Sequence, residues 1–231
     1  MVQMNQDDRF QQIVSVINET ESLQQDFIPP ELAKPSSFLK LLNASHHNWQ
    51  SDRFRKVFGM RFSVKLPPIE QLNVIIYPRT NYDLPVFIFF CMLTKRKVIA
   101  HLNVNCPFHD DHYNQEWVMP LAKILDNYPS FESRDRYPEW MHKYRNDCSI
   151  YGLFPIDRLD DISNCCFAYL DHYLTKVRSA QPTTDSSRLA VIRQFHEQWI
   201  SDIRTQDKAQ GMMAKMIGAN TAKRIFHEVT T

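Results

Sequence analysis

Asp207, in the run Thr205-Gln206-Asp207-Lys208-Ala209-Gln210-Gly211, is the carboxylate whose setting most invites a chemical reading. An aspartate where a helix begins is first of all a cap. Its oxygens accept backbone N–H bonds, which lower its pKa and make it a poor proton donor. Pattern alone therefore reads Asp207 as a cap, and an acid there needs burial to push its pKa the other way. His109-Asp110-Asp111-His112 has the residue types of a transition-metal cluster. It lies in a polar stretch with no regular element to fix the ligands, so a solvated loop without metal is expected. His46-His47 is read in the same way. Lys95-Arg96-Lys97, with Arg53, Arg55 and Lys56, makes the dense basic groups. Lysine at a hairpin turn protects a strand edge, and the same charge suits docking of an acidic protein.

The 27 basic and 26 acidic side chains leave a net charge of +1, so no global field draws the chain to nucleic acid or to an anionic membrane. No apolar run reaches the ~20 residues that span a bilayer, and the polar start, Met1 to Arg9, lacks the h-region of a leader. The expected location is the cytoplasm, or the plastid stroma in a photosynthetic eukaryote. The five cysteines show no CxxC spacing and read as reduced, buried thiols. Four glycines, Gly59, Gly152, Gly211 and Gly218, are too dispersed to form a phosphate-cradling loop. A nucleotide cofactor held in the standard ways is thereby disfavoured.

These residues must be positioned by a mixed set of elements within a single domain, 1–231. Phe10, Ile13, Val14 and Ile17 predict an amphipathic helix over 7–23, and prolines 29, 30 and 35 break the chain after it. Residues 36–52 read as polar and irregular. Runs at 57–64, 72–77, 85–93 and 97–104, with a further one at 148–154, predict strands, and the short links between the first four imply an antiparallel meander. In the fourth, Val98, Ala100, Leu102 and Val104 point one way while His101, Asn103 and Asn105 point the other. The polar side lines either a pocket or solvent, and periodicity favours solvent slightly. Helices are predicted over 115–127, 160–177 and 188–203, then from Asp207 onward with a break near Gly218.

Taken in order, several segments resemble the ferredoxin-dependent bilin reductases, to which the red chlorophyll catabolite reductases are related. They are Phe54-Arg55-Lys56, Leu72-Asn73-Val74-Ile75-Ile76-Tyr77-Pro78-Arg79 and Tyr82-Asp83-Leu84-Pro85-Val86-Phe87. Tyr137-Pro138-Glu139-Trp140 ahead of a Cys148-to-Phe154 strand follows, and then Asp207-Lys208-Ala209-Gln210-Gly211-Met212. The likeness covers roughly residues 53 to 229. It implies an α+β fold, a three-layer α/β/α sandwich with a central, mostly antiparallel sheet. It also implies a monomeric oxidoreductase with no metal and no bound cofactor. Electrons would come singly from ferredoxin to biliverdin or a partly reduced bilin, whose radical intermediates take up protons.

Carried over residue by residue, Asp207 matches the family's C-terminal catalytic aspartate. This reverses the reading as a mere cap and predicts a partly buried carboxyl with a raised pKa. Asn73 falls where members carry His, Asp or Asn; it can bond the substrate but cannot be an acid. Phe90 stands where the central strand usually bears an aspartate. Phe58 and Met60 replace the His and Glu that one branch uses on a vinyl group. His101 and Asn103 are expected to line the substrate pocket, with Lys208 and Arg134 or Arg136 as partners for propionates. The loss of acids also leaves open a bilin carrier without catalysis, or a reductase of another open-chain tetrapyrrole.

Overall fold

A computed structural model of the chain describes residues 6–35, 42–128, 131 and 135–231. Strands β1 (Gln24–Asp26), β2 (Leu42–Gln50), β3 (Phe54–Lys65), β4 (Pro68–Pro78), β5 (Val86–Leu93), β6 (Lys97–Asn105) and β7 (Ile150–Pro155) form one sheet in sequence order. Every neighbouring pair is antiparallel. Tight links between β3 and β6 produce this meander, because short connections can only return a strand beside its predecessor.

The expectation of an irregular 36–52 fails at β2, which pairs along its length with β3 from Leu42↔Val64 to Trp49↔Val57. Leu-Asn-Ala-Ser-His-His-Asn-Trp-Gln has little intrinsic strand preference, so pairing with β3 decides its conformation. Its alternation is nevertheless clean. His46 and Asn48 are buried on one face, while His47 and Trp49 pack against Phe10 on the other.

Helices α1 (Gln6–Glu21) and α5 (Leu159–Ser179) cover the first face. Short α3 (Asp111–Tyr113) and α4 (Met119–Leu125), joined by a π turn at Asn114–Val118, complete that layer. Phe10, Ile13 and Ile17 of α1 meet Val57, Leu72 and Val74. Full burial of each such side chain contributes about 1.5–3 kcal/mol. The seat is close: a Cβ at Gly59 would lie 2.8 Å from ring carbons of Phe10.

The second face is covered by α2 (Pro30–Ala33), a 3₁₀ turn at Glu139–Tyr144, α6 (Ser186–Gln206), α7 (Ala209–Ile217) and α8 (Ala219–Arg224), which runs into a π turn at Ile225–Thr230. Asp185 caps α6 by accepting from the amides of Ser187 and Arg188. Gly218, at φ +88°, separates α7 from α8 in a conformation that glycine adopts without strain. Between these helices and the sheet lie Phe58, Ile75, Tyr77, Val86, Ile88, Trp199, Ile203 and Phe226. The polar side of β6 therefore does not face solvent: His101, Asn103 and Asn105 are all buried.

Candidate active site on the second sheet face

Sheet register places His46, Met60, Asn73, Phe90, His101 and Tyr151 in one row across β2 to β7. Directly paired residues project from the same face, and strands about 4.8 Å apart make the row on the order of 24 Å long. Ala209, Met213, Ala214 and Ile217 of the α7 segment belong to the apolar layer opposite. Asn73, Phe90, Phe62 and Tyr151 stay half-exposed, so the face is open along part of its length. A cleft of about 420 Å³ opens instead at the sheet edge beside the start of α1, lined by Gln6, Asp7, Asn43, Ser45, Arg61 and Glu70, and only Ala44, Phe62 and Gln71 of its lining belong to the next row of this face.

Buried polar atoms are normally hydrogen-bonded. Here Asn73 Oδ1, His101 Nε2 and His46 Nε2 have no partner. His101, Tyr137 and Tyr151 form a closed aromatic trio, with ring centres 5.2–5.6 Å apart. Burial lowers the His101 pKa to about 3, so the imidazole is neutral and offers a hydrogen bond rather than a proton.

Asp207 sits at the junction of α6 and α7. It is half-buried, and its Oδ1 accepts the Ala209 amide N–H at 2.8 Å. Burial raises its pKa, and this bond opposes the rise. The side chain thus caps α7 and is at the same time a carboxyl biased toward its protonated form. It faces β7: burial chiefly, and then the charge of Asp207, raises the Tyr151 pKa.

Asn103 differs from the other polar residues of β6. Its Nδ2 donates to Asn105 Oδ1 and to the Tyr144 carbonyl at 2.7 and 2.9 Å, and its Oδ1 accepts from Ser149 Oγ. Its polar groups are therefore committed to holding the 139–144 turn, contrary to the expected free pocket group. That turn is also fastened to α6. The Tyr144 hydroxyl donates to Asp202, which Lys143 approaches at 2.6 Å. Lys208 is exposed beside Asp207, and Arg136 is exposed beside β7, its amide donating to the Tyr151 carbonyl at 2.7 Å. Arg134 lies outside the described residues.

The remaining sequence candidates fall elsewhere. Asp110 caps α3 and pairs with Arg188, and no three His, Cys, Asp or Glu residues gather as a metal site among the described residues. His46 is a core strand residue whose Nδ1 meets the Leu32 carbonyl at 2.7 Å, not part of a loop. All five cysteines are free and buried. Arg53 bonds Glu21 and two carbonyls, Arg55 stacks on Tyr77 and Lys56 reaches the C-terminal turn, so Lys95-Arg96-Lys97 is the exposed part of the basic set. Tyr151 escaped the sequence reading, and Tyr137 and His46, though named in it, were not expected on this sheet face. Alternation along 148–154 could have placed Tyr151; nothing local placed the other two beside the row.

A meandering antiparallel sheet between helical layers, with partnerless polar atoms on the face under the C-terminal helices, defines a three-layer α/β/α protein of the α+β class. The chain belongs to the ferredoxin-dependent bilin reductase family, whose sequence model matches residues 10–230, and it is accordingly an oxidoreductase. It is 27% identical over 216 residues to 15,16-dihydrobiliverdin:ferredoxin oxidoreductase of Nostoc punctiforme, covering 89% of this chain and 86% of that one. Phycoerythrobilin:ferredoxin oxidoreductase of the same organism is 25% identical over 169 residues, 69% and 64% of the two chains. Tomato phytochromobilin synthase, solved in complex with biliverdin, shares the fold with a TM-score of 0.85 at 13% identity, over 96% of this chain and 81% of that one. No described helix is long and apolar enough to cross a membrane.

Proposed function

We propose that the protein reduces a linear tetrapyrrole, biliverdin or a partly reduced bilin, with electrons from reduced ferredoxin, and that the substrate lies between the Asn73–Phe90–His101 row and α7. The observation that carries this is Asp207: a carboxyl whose pKa is raised by burial, at the edge of a half-open sheet face with unpartnered polar atoms. Reducing one double bond takes two electrons, delivered singly by two ferredoxins, and two protons. A proton donor needs a pKa near the working pH and reach to the reacting carbon. Asp207 supplies one proton and is reloaded from solvent, which supplies the second. Neutral His101 and Asn73 hydrogen-bond the pyrrole and lactam groups. Lys208 and Arg136, with Arg134, pair with the propionates. Electrons pass directly to the bilin, so no bound cofactor is needed, and the exposed Lys95-Arg96-Lys97 turn suits the acidic donor.

One observation favours a second reading, a carrier. Asn73 and Phe90 place no acid in the centre of the row. Anaerobic mixing with biliverdin, followed by reduced ferredoxin, separates the two. A red-shifted complex that decays to a new bilin is the expected result. A complex unchanged by electrons would establish the carrier, and no spectral change on mixing would exclude biliverdin as ligand.

A further inference from the structure

A second set of buried polar groups lies on the same sheet face under α6, away from Asp207, and the proposed reduction does not use it. His196 and Trp199, three residues apart on α6, are each 2% exposed and turn toward the sheet. There they meet Tyr77 of β4, fully buried, and Arg55 of β3, whose guanidinium carbon stands 4.5 Å from the Tyr77 ring centre. The Trp199 indole is near enough to the Tyr77 hydroxyl to bear on its pKa, and the Arg55 charge bears on that of His196. In this group Arg55 Nη2 and both ring nitrogens of His196 are buried without a hydrogen-bond partner, and the Tyr77 hydroxyl, approached by the Trp199 indole N–H, has no acceptor for its own proton.

Such clustering is costly, because each unsatisfied buried group costs about 1–3 kcal/mol. The shortage is of acceptors. A guanidinium and an indole only donate, a phenol donates readily, and a neutral imidazole contributes one N–H. Two further cations lie close by: Lys56 donates to the Val229 carbonyl and to a main-chain oxygen of Thr231, and Arg204 donates to the His227 carbonyl and Thr231 Oγ1. Asp26 is the carboxylate whose charge bears on Lys56, but burial and Arg55 outweigh it.

We infer that Arg55, Tyr77, His196 and Trp199 form a carboxylate-binding site beneath α6. The guanidinium supplies the charge and two-pronged donation, the phenol and imidazole complete the acceptor's shell, and the indole orients the phenol. Half-exposed Arg55 leaves the way in. Tyr77 lies four residues along β4 from Asn73, about 13 Å. That is too far for rings stacked on the Asn73 row, but within reach of an acid side arm. The carboxylate is therefore either that of a bound tetrapyrrole, a source that rests on the function proposed above, or a free small carboxylate, which does not.

Two measurements test the site on the full chain. Without bilin, thermal unfolding is followed in formate or acetate against chloride at constant ionic strength. Carboxylate should raise Tm in the wild type and fail to do so in Arg55→Gln and Tyr77→Phe. Separately, the Kd of biliverdin is compared with that of its dimethyl ester. If a propionate fills the site, the ester binds about tenfold more weakly to the wild type. In Arg55→Gln the penalty shrinks toward onefold, while Arg136→Gln leaves that share of it in place. A response in the first measurement alone assigns a free carboxylate, and one in the second alone assigns the substrate arm. The site is refuted if carboxylate does not stabilise the wild type and the ester penalty is the same in Arg55→Gln and Tyr77→Phe. Failure of bilin to bind at all would count against the proposed function, while the first measurement would still decide the site.

Discussion

Asp207 is held between two opposed influences. Removal from water favours its neutral form, and the Ala209 amide favours its charged one; burial prevails. A carboxyl with its folded pKa above the ordinary value penalises the fold once both states would ionise. The penalty is absent below the unfolded pKa, grows as pH rises from there through the folded pKa, and is then constant. Asp207→Asn keeps an oxygen for the Ala209 amide and removes the charge. The variant should therefore gain stability relative to the wild type at neutral pH, with the difference vanishing in acid, as urea midpoints at several pH values would show. It should bind biliverdin as well as the wild type and lose about 10²-fold or more in turnover. In the wild type, turnover should fall as pH rises past the raised pKa, because the donor is the protonated form. Full turnover in Asp207→Asn would end the assignment. The sequence could mark this residue but not its state, since the same aspartate at a helix start is usually a lowered-pKa cap.

At the scale of elements, the segment after Asp207 depends on its glycines in opposite ways. Gly218 has φ +88° at the joint of α7 and α8, where an L side chain is strained, so Gly218→Ala should destabilise by about 1 kcal/mol. Gly211 lies within α7 with nothing within 4 Å of an added Cβ, so Gly211→Ala should stabilise by roughly 0.5–1 kcal/mol. Thermal unfolding of the two variants must give shifts of opposite sign if α7 is the helix described. The Gly218 break was legible because glycine after a helical run is a strong stop signal. The four central strands were legible because Val, Ile and Phe alternate between turns. β2 was not. Its histidines and asparagines carry no strand signal, and only the ladder to β3 makes them extended.

For the molecule as a whole, the consequence of two buried sheet faces is a set of histidines kept neutral. Burial holds the pKa of His46 and His196 at about 4 and that of His101 at about 3, below the ordinary 6.5. The unfolded chain therefore takes up protons first. The stability these residues confer is fully present above pH 6.5 and is lost as pH falls toward their folded values, by roughly 1.4 kcal/mol per pH unit for each. Urea midpoints should drop steeply between pH 7 and pH 5. A flat profile across that window would show that these imidazoles are not buried as described. His46 and His101 lie in the row that includes Asn73 and Phe90, so a ligand meeting their free nitrogens should shift the profile.

By itself, the sequence determined the α+β class, the antiparallel meander, the helical C-terminal third and the family likeness that singles out Asp207. All of these rest on local periodicity or on the order of short motifs. The tertiary structure decided which polar residues are free. Asn103 and His101 are alike in the alternation of β6, yet one is consumed by Tyr144, Asn105 and Ser149 while the other retains a bare nitrogen. Arg55 and Arg53, two residues apart in one basic run, divide in the same way between an unpartnered guanidinium nitrogen and a salt bridge. The partners of Arg53 lie up to 127 positions away, and the Asp207 pKa is raised only because the fold withdraws the carboxyl from water. Hydrogen-bond satisfaction and desolvation are properties of contacts across the chain, so no stretch of sequence contains them.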